Sequence, residues 1–152
     1  MIDIRRAGAG DAGELMRLRT VMLEATGPWL EPGTAILRRR LGDPEDLLAA
    51  FVVDRPDGAG LAACAVGAID ERLPGPGDPT GLRGYVYNVA TDPGYRRRGY
   101  SRACMAALLR WYDRRGVTAV DLRASPEAEP LYHALGFRRT GHPAMRRLSP
   151  GR

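Results

Sequence analysis

The chain begins with a short segment in which apolar and charged residues alternate, and a segment with apolar residues at helical spacing follows it. Residues 2–5 alternate apolar and charged, which predicts a half-exposed edge strand. Asp11 and Glu14 form a pair that resembles a capping box, and the apolar positions after it predict a helix over residues 12–25, with Leu15, Leu18 and Met22 on one face. A break rich in Gly and Pro then precedes a second predicted helix at residues 34–41.

The next apolar runs are short and predict strands. Residues 47–54 and 61–69 flank a Pro- and Gly-containing turn at residues 55–58, so we expect an antiparallel hairpin. Residues 73–83 contain three prolines and three glycines, which predicts a loop, and we expect that loop to be mobile.

A strand–helix–strand unit follows the loop. Residues 85–91 are rich in aromatic and β-branched residues, the helix begins near Ser101, and residues 118–123 form the second predicted strand. Two strands joined through a helix pair in parallel by a right-handed crossover. The chain should end with a helix near residues 127–136 and short closing strands at residues 137–138 and 145–148. The pattern predicts an α/β chain with a mixed sheet, and we expect residues 1–152 to form one domain.

The composition excludes several classes of functional site. The net charge of +5 comes from arginine alone, because the sequence contains no lysine, and this excludes a Schiff-base lysine and a P-loop lysine. A basic chain favours polyanionic partners. Cys64 and Cys104 are isolated in apolar segments, so we expect small core residues in a reducing compartment, with no disulfide and no metal site. No apolar run is long enough to span a membrane, and we expect a cytoplasmic protein.

The segment between the first strand of this unit and its helix has the character of an anion site. The first turn of a helix has free N–H groups, and the helix dipole favours a phosphate there. Gly99 allows close approach to the backbone, and four arginines add positive charge, namely Arg96, Arg97, Arg98 and Arg102. We therefore expect a ligand that bears a pyrophosphate.

Several segments also match other motifs in part. Residues 8–13 read Gly-x-Gly-x-x-Gly, but the strand before them carries charge and a second helix follows, unlike a dinucleotide-binding unit. Residues 99–103 half-match a hydrolase nucleophile elbow, yet Ser101 is not at a strand tip. The arginine run, interleaved with Tyr95 and Tyr100, is also compatible with a solvated loop or a nucleic-acid patch.

Two blocks resemble the motifs of one enzyme family. Arg96-x-x-Gly99-x-Ser101 resembles the acetyl-CoA motif Arg/Gln-x-x-Gly-x-Gly/Ala of the GCN5-related N-acetyltransferase (GNAT) superfamily, and Ser101 is the departure. Residues 124–137 resemble the family segment Asn-x-x-Ala-x-x-Leu-Tyr-x-x-x-Gly-Phe, with Ser125 in place of Asn. The resemblance implies the GNAT fold, a mostly antiparallel sheet with one splayed parallel strand pair and about four helices.

The resemblance also implies a site. Acetyl-CoA would be the co-substrate, bound by Val89, Ala90, Thr91, Arg96, Arg97, Arg98, Gly99, Tyr100, Ser101, Arg102, Ser125 and Tyr132. A tyrosine that matches Tyr132 gives its proton to the departing thiolate in this family. The general base is left open among Glu24, Glu31, Asp70 and Glu71, and the expected substrate-binding residues are Trp29, Glu24, Glu31 and Tyr87.

The expected reaction is acetyl transfer by direct attack of a primary amine. A small molecule, either a metabolite or an antibiotic, is the first candidate acceptor. The alternatives are a protein N-terminus or peptide, and a non-catalytic module that binds acyl-CoA or nucleic acid. We expect no membrane or nucleic-acid partner, and the sequence leaves open whether the chain forms a homodimer. His133 and His142 are isolated in sequence and are interpreted as surface residues.

Overall fold

A computed structural model describes residues 1–151. Five strands form one sheet in sequence order, and four helices cover its faces. The elements, in chain order, are β1 (Arg5–Arg6), α1 (Ala12–Leu23), α2 (Leu30–Leu41), β2 (Leu48–Asp54), β3 (Leu61–Glu71), β4 (Leu82–Thr91), α3 (Tyr100–Arg114), β5 (Ala119–Asp121) and α4 (Glu129–Ala134). Among the described residues, no helix has the length and hydropathy needed to cross a membrane.

The sheet is mixed, as the sequence predicted. β1, β2, β3 and β4 pair antiparallel to their neighbours, whereas β5 pairs parallel to β4. The parallel pair arises because α3 crosses over the sheet between the two strands. The α/β architecture, the parallel pair and the four helices are all confirmed.

The core has two layers, one on each face of the sheet. Leu15 and Leu18 of α1 pack with one face of β2 and β3, while Met105, Leu108 and Tyr112 of α3 pack with the other. β3 is therefore covered on both faces, which explains why its sequence is a continuous apolar run rather than an alternating one. Cys64 and Cys104 are both buried free thiols, and burial raises the pKa of Cys64 to about 12.

One helix start and one helix cap differ from the sequence predictions. α2 begins at Leu30 instead of residue 34, because Pro32 lies in the first turn, where no N–H donor is needed. The prediction of a capping box before α1 is wrong. The Asp11 carboxylate accepts the Gly8 N–H at 2.8 Å, but Glu14 accepts the N–H of Leu61 at 2.8 Å and so connects α1 to β3.

The predicted closing strands are also wrong. Residues 137–138 and 145–148 form no strand, and Met145 and Leu148 are exposed. Instead, Arg139 pairs with Glu129 of α4 at 2.6 Å, so side-chain charges connect this part of the chain to the fold.

The glycine motif at residues 8–13 leads into a short 3-10 helix at Ala9–Asp11 and then into α1. α1 is followed by α2 instead of a strand, so this is not a dinucleotide-binding unit.

Candidate active site

The segment between β4 and α3, residues 96–102, is called the phosphate loop here. Gly99 has φ +80°, a left-handed conformation that favours glycine, and α3 begins directly after it. Ala103 donates to the Gly99 carbonyl at 3.1 Å. The N–H groups of Tyr100, Ser101 and Arg102 therefore belong to the first helical turn, where no intrahelical acceptor exists. The start of α3 thus has the geometry of an anion site.

Side chains connect the phosphate loop to the end of β4. The hydroxyls of Thr91 and Ser101 lie 2.5 Å apart, and Arg96 Nε donates to the Thr91 carbonyl at 3.4 Å. Ser101 lies in the first turn of α3 rather than at a strand tip, which contradicts a nucleophile elbow. Its hydroxyl, the one departure from the small apolar residue of the motif, fixes the helix start against β4.

The charge of the phosphate loop is not neutralised locally. Arg96, Arg97, Arg98 and Arg102 are exposed, and none of them forms an ion pair with any carboxylate of residues 1–151. The Arg98 guanidinium lies over the Tyr95 ring, 5.1 Å from its centroid. Free arginines beside free amides match the chemistry of a pyrophosphate.

β4 and β5 pair over only three residues and then separate. The last pair is Tyr85 with Asp121, but β4 continues to Thr91. Six residues of strand extend roughly 20 Å, so the β4 edge that faces away from β3 is free of β5 over this length. Val89, Ala90 and Thr91 all lie in this part. The same stretch contains a bulge at Tyr87, because the register with β3 shifts there.

Tyr132 lies beyond this opening, on α4. Its side chain is buried, and its ring contacts Phe137 edge-on with the centroids 5.8 Å apart. Burial raises the pKa of the phenol, so the hydroxyl is protonated at neutral pH. Tyr132 lines a groove of about 1020 Å³, called the Tyr132 groove, together with Tyr85, Asp121 and Arg139. Ser125 caps the turn before α4, where its hydroxyl accepts the Ala128 N–H at 3.3 Å.

A second cavity, of about 390 Å³, lies between the end of α2 and strands β3 and β4. It is called the α2–β4 cleft, and the side chains that line it include Arg40, Asp70, Arg72, Tyr85 and Tyr87. The rings of Tyr85 and Tyr87 contact each other with centroids 5.4 Å apart. The expected substrate contact Tyr87 and the candidate base Asp70 therefore line the same cleft.

The other candidate bases and substrate contacts do not line this cleft. Glu24 is the exposed residue after α1, with φ +52°, and Glu31 is exposed in the first turn of α2. Trp29 is half-buried just before α2, and Glu71 is exposed at the end of β3. The side chains that line the α2–β4 cleft do not include these four residues. Their roles as base or substrate contacts stay predictions.

Comparisons with known proteins agree with this fold and motif pattern. The model of the acetyltransferase (GNAT) family matches residues 15–137. The chain belongs to this family.

One curated relative is the ribosomal protein bS18-alanine N-acetyltransferase of Escherichia coli, 40% identical over 55 residues. That match spans 34% of this chain and 37% of the relative's length. An acetyltransferase of Clostridium acetobutylicum, solved with acetyl-CoA, superimposes with a TM-score of 0.84 at 22% identity, over 97% of this chain and 96% of that one. The aminoglycoside N-acetyltransferase AAC(6')-Iy, solved with CoA, gives 0.76 at 22% identity, over 97% and 95%. Because both structures are only 22% identical to this chain, they show that the fold is shared and no more.

Sequence reasoning missed three cleft residues. Arg40 is the last of three consecutive arginines near the end of α2. The helix dipole favours cations at this end of any helix, so nothing in the sequence distinguishes Arg40 from its neighbours. Arg72 lies between the predicted strand at residues 61–69 and the predicted loop at residues 73–83, and Tyr85 is predicted only as a strand residue. The period-2 pattern of β4 is the one usable signal, because it places Tyr85 and Tyr87 on the same side of the strand.

Proposed function

We propose that this chain transfers an acetyl group from acetyl-CoA to the primary amine of a small molecule. The observation that carries the proposal is the free edge of β4. It runs from the phosphate loop to the level of Tyr85, which lines both the Tyr132 groove and the α2–β4 cleft. A ligand with phosphates at one end and a reactive group at the other, joined by a long arm, fits this arrangement.

The phosphate loop and the free edge suit acetyl-CoA. The amides of the first turn of α3 and the four unpaired arginines would hold the pyrophosphate, and Gly99 leaves the backbone open to it. Free backbone groups around Val89 and Thr91 would pair with the amides of the pantetheine arm. They would also polarise the thioester carbonyl, an electrostatic contribution to catalysis.

The chain's own residues then supply the proton transfers. The amine nitrogen attacks the thioester carbonyl carbon, the carbon–sulfur bond breaks, and the thiolate takes a proton from the Tyr132 hydroxyl. The proton lost by the amine goes to a carboxylate or to water. Asp70 is the candidate base that lines the cleft, and Glu24, Glu31 and Glu71 would act only through water or after movement.

Substitution of Gly99 tests the cofactor part of the proposal. Gly99→Glu places a carboxylate where the pyrophosphate would bind, so calorimetric titration should show that acetyl-CoA binding is lost. Gly99→Ala carries only the strain of the left-handed conformation, about 1 to 2 kcal/mol, and should bind better than Gly99→Glu. Gly8→Glu adds the same charge at an exposed glycine outside the loop and should bind normally. Unchanged affinity in Gly99→Glu contradicts the proposal.

The acetyltransferase of the bS18 ribosomal protein supports a second candidate, acetylation of a protein N-terminal alanine. A peptide panel beside a small-amine panel separates the two acceptors. Thiol release from acetyl-CoA also separates both from a module that only binds acyl-CoA. We further propose that the chain acts as one acetyltransferase domain, which the family match over residues 15–137 supports. The cytoplasmic location stays a prediction, and the question of a homodimer stays open.

A further inference from the structure

The α2–β4 cleft carries more positive than negative charge. Arg40 and Arg72 line it together with one carboxylate, that of Asp70. Arg72 Nε donates to Asp70 at 3.2 Å, so these two charges neutralise each other. Arg40 forms no ion pair with any described side chain from Met1 to Gly151, which leaves one uncompensated positive charge in the cleft.

Arg40 differs from its neighbours on α2. Arg38 and Arg39 are exposed, as expected for cations that face water at a helix C-terminus, whereas Arg40 is half-buried. A partly buried guanidinium without a carboxylate partner is unusual, because desolvation of a charge is compensated by pairing. Its five N–H donors have the fork geometry that suits a carboxylate or a phosphate.

We propose that the acceptor is an amine that also carries an anionic group, a carboxylate or a phosphate, and that Arg40 binds this group. The inference rests on the proposed function and specifies its substrate class. The rings of Tyr85 and Tyr87 would flank the carbon skeleton. Tyr85 and Arg72 also line the Tyr132 groove, so an acceptor anchored at Arg40 lies beside the place where the thioester would react.

The same charge argues against a polycationic acceptor. An aminoglycoside brings several ammonium groups, and the uncompensated Arg40 would repel them. A cavity of about 390 Å³ also lies at the small end of ligand pockets, which suits an amino acid or a phosphorylated amine.

Matched amine pairs test the inference. The pairs are β-alanine with β-alaninamide, and O-phosphoethanolamine with ethanolamine, each acetylated under the same conditions with thiol release as the readout. The first pair isolates a carboxylate and the second a phosphate. We expect kcat/KM to be at least 10-fold higher for the anionic member of one pair, and the pair that shows it identifies the anion.

Arg40→Gln then tests the residue. Loss of a charge-assisted contact should reduce the preference for the anionic member about 10-fold to 100-fold. Arg40→Lys should restore part of it. Arg39→Gln removes the same charge from an exposed position on the same helix and should keep the wild-type preference. Calorimetric titration with acetyl-CoA establishes that each variant is folded.

The outcomes are separable. If neutral amines are acetylated as well as their anionic partners, or if Arg40→Gln keeps the wild-type preference, the inference is overturned and the proposed function stands. If only peptides or polycationic amines react, the inference is likewise overturned. If acetyl-CoA binds but no amine releases thiol, the proposed function fails and the inference fails with it.

Discussion

Tyr132 shows how burial sets the chemistry of a single residue. Its ring belongs to the core layer under α3, yet the residue also lines the groove beside the separation of β4 and β5. The apolar surroundings raise the pKa of the phenol, so the proton is available for donation over the whole neutral range. An acid placed to protonate a thiolate needs this property, because a phenolate could not serve.

Tyr132→Phe should therefore lower turnover and leave cofactor binding intact. Loss of a general acid reduces kcat by roughly 100-fold or more. Because the ring and its contact with Phe137 remain, the acetyl-CoA dissociation constant should stay within about twofold of wild type, within 0.4 kcal/mol. Thiol release measures the first quantity and calorimetry the second. A wild-type rate removes Tyr132 from the catalytic residues.

Tyr112 has a structural role at the same end of the sheet. Its hydroxyl lies 3.1 Å from the carbonyls of both Ala68 in β3 and Tyr85 in β4, and it donates its one proton between them. A Cβ at Gly67 would overlap this hydroxyl, and a Cβ at Gly84 would lie 2.7 Å from the ring. Both glycines therefore make room for the tyrosine that supports the point where β4 and β5 separate.

This packing predicts a non-additive pair of substitutions. Gly67→Ala should destabilise the fold by about 1 to 3 kcal/mol through overpacking, and Tyr112→Phe by about 1 to 3 kcal/mol through unpaired carbonyls. The double variant should cost less than the sum, because removal of the hydroxyl relieves the overlap. Urea unfolding of all four proteins measures the coupling. Strict additivity would contradict the assigned contact.

At the scale of elements, the sequence predicted those whose own pattern determines their burial. α1, α3 and the β2–β3 hairpin appeared where apolar periodicity indicated them, because the apolar face of each is buried against the sheet. The predictions were wrong where contacts between residues that are distant in sequence determine the local structure. Glu14 bonds to Leu61 of β3 instead of capping its helix, and residues 145–148 form no strand although their local pattern allows one.

The candidate site could likewise be predicted only in part. The phosphate loop could be predicted because its chemistry lies within a few consecutive residues, Gly99 above all. The α2–β4 cleft could not, because Arg40, Asp70 and Tyr87 come from three separate elements. Only the fold brings these side chains together, and no spacing in the chain records it.

Asp92 connects several elements directly after β4. Its carboxylate pairs with Arg55 at 2.5 Å and with Arg17 of α1 at 3.4 Å. Although burial opposes the charge, bonds from Arg55 and Arg17 hold the pKa of Asp92 below its usual value. Asp92→Asn should therefore weaken the connection between α1, the end of the β2–β3 hairpin and the phosphate loop.

The expected cost is about 1 kcal/mol, since both arginines are about one-third exposed and water screens the pairs. Asp54→Asn is the matched control. Asp54 pairs with Arg5 at 2.7 Å but is 56% exposed, so its loss should cost less. Urea unfolding compares the two variants. An equal or larger effect of Asp54→Asn would contradict the connecting role of Asp92.

For the whole molecule, arginine is the only basic side chain that stays charged at every pH of interest, so stability depends on the carboxylates that pair with it. Bonds from Arg5 hold the pKa of Asp11 and Asp54 below the usual value. A bond from Arg17 does the same for Glu14, and bonds from Arg139 and His133 lower the pKa of Glu129 to about 2. The native state therefore binds these protons less readily than the unfolded chain.

This difference gives the sign of the pH dependence. The stabilisation is fully present above the ordinary carboxylate pKa values of 3.8 and 4.5, and it is lost as the pH falls through the lower values of the native state. Protonation also leaves the charge of the arginines unopposed, and self-repulsion adds to the loss. Thermal unfolding should show a nearly constant Tm from pH 7 to pH 5 and a steep fall below pH 4, at about the carboxylate pKa. Asp11→Asn removes one of these groups and should flatten the fall while lowering Tm at pH 7. A Tm that rises on acidification would mean that the ion pairs do not stabilise the native state.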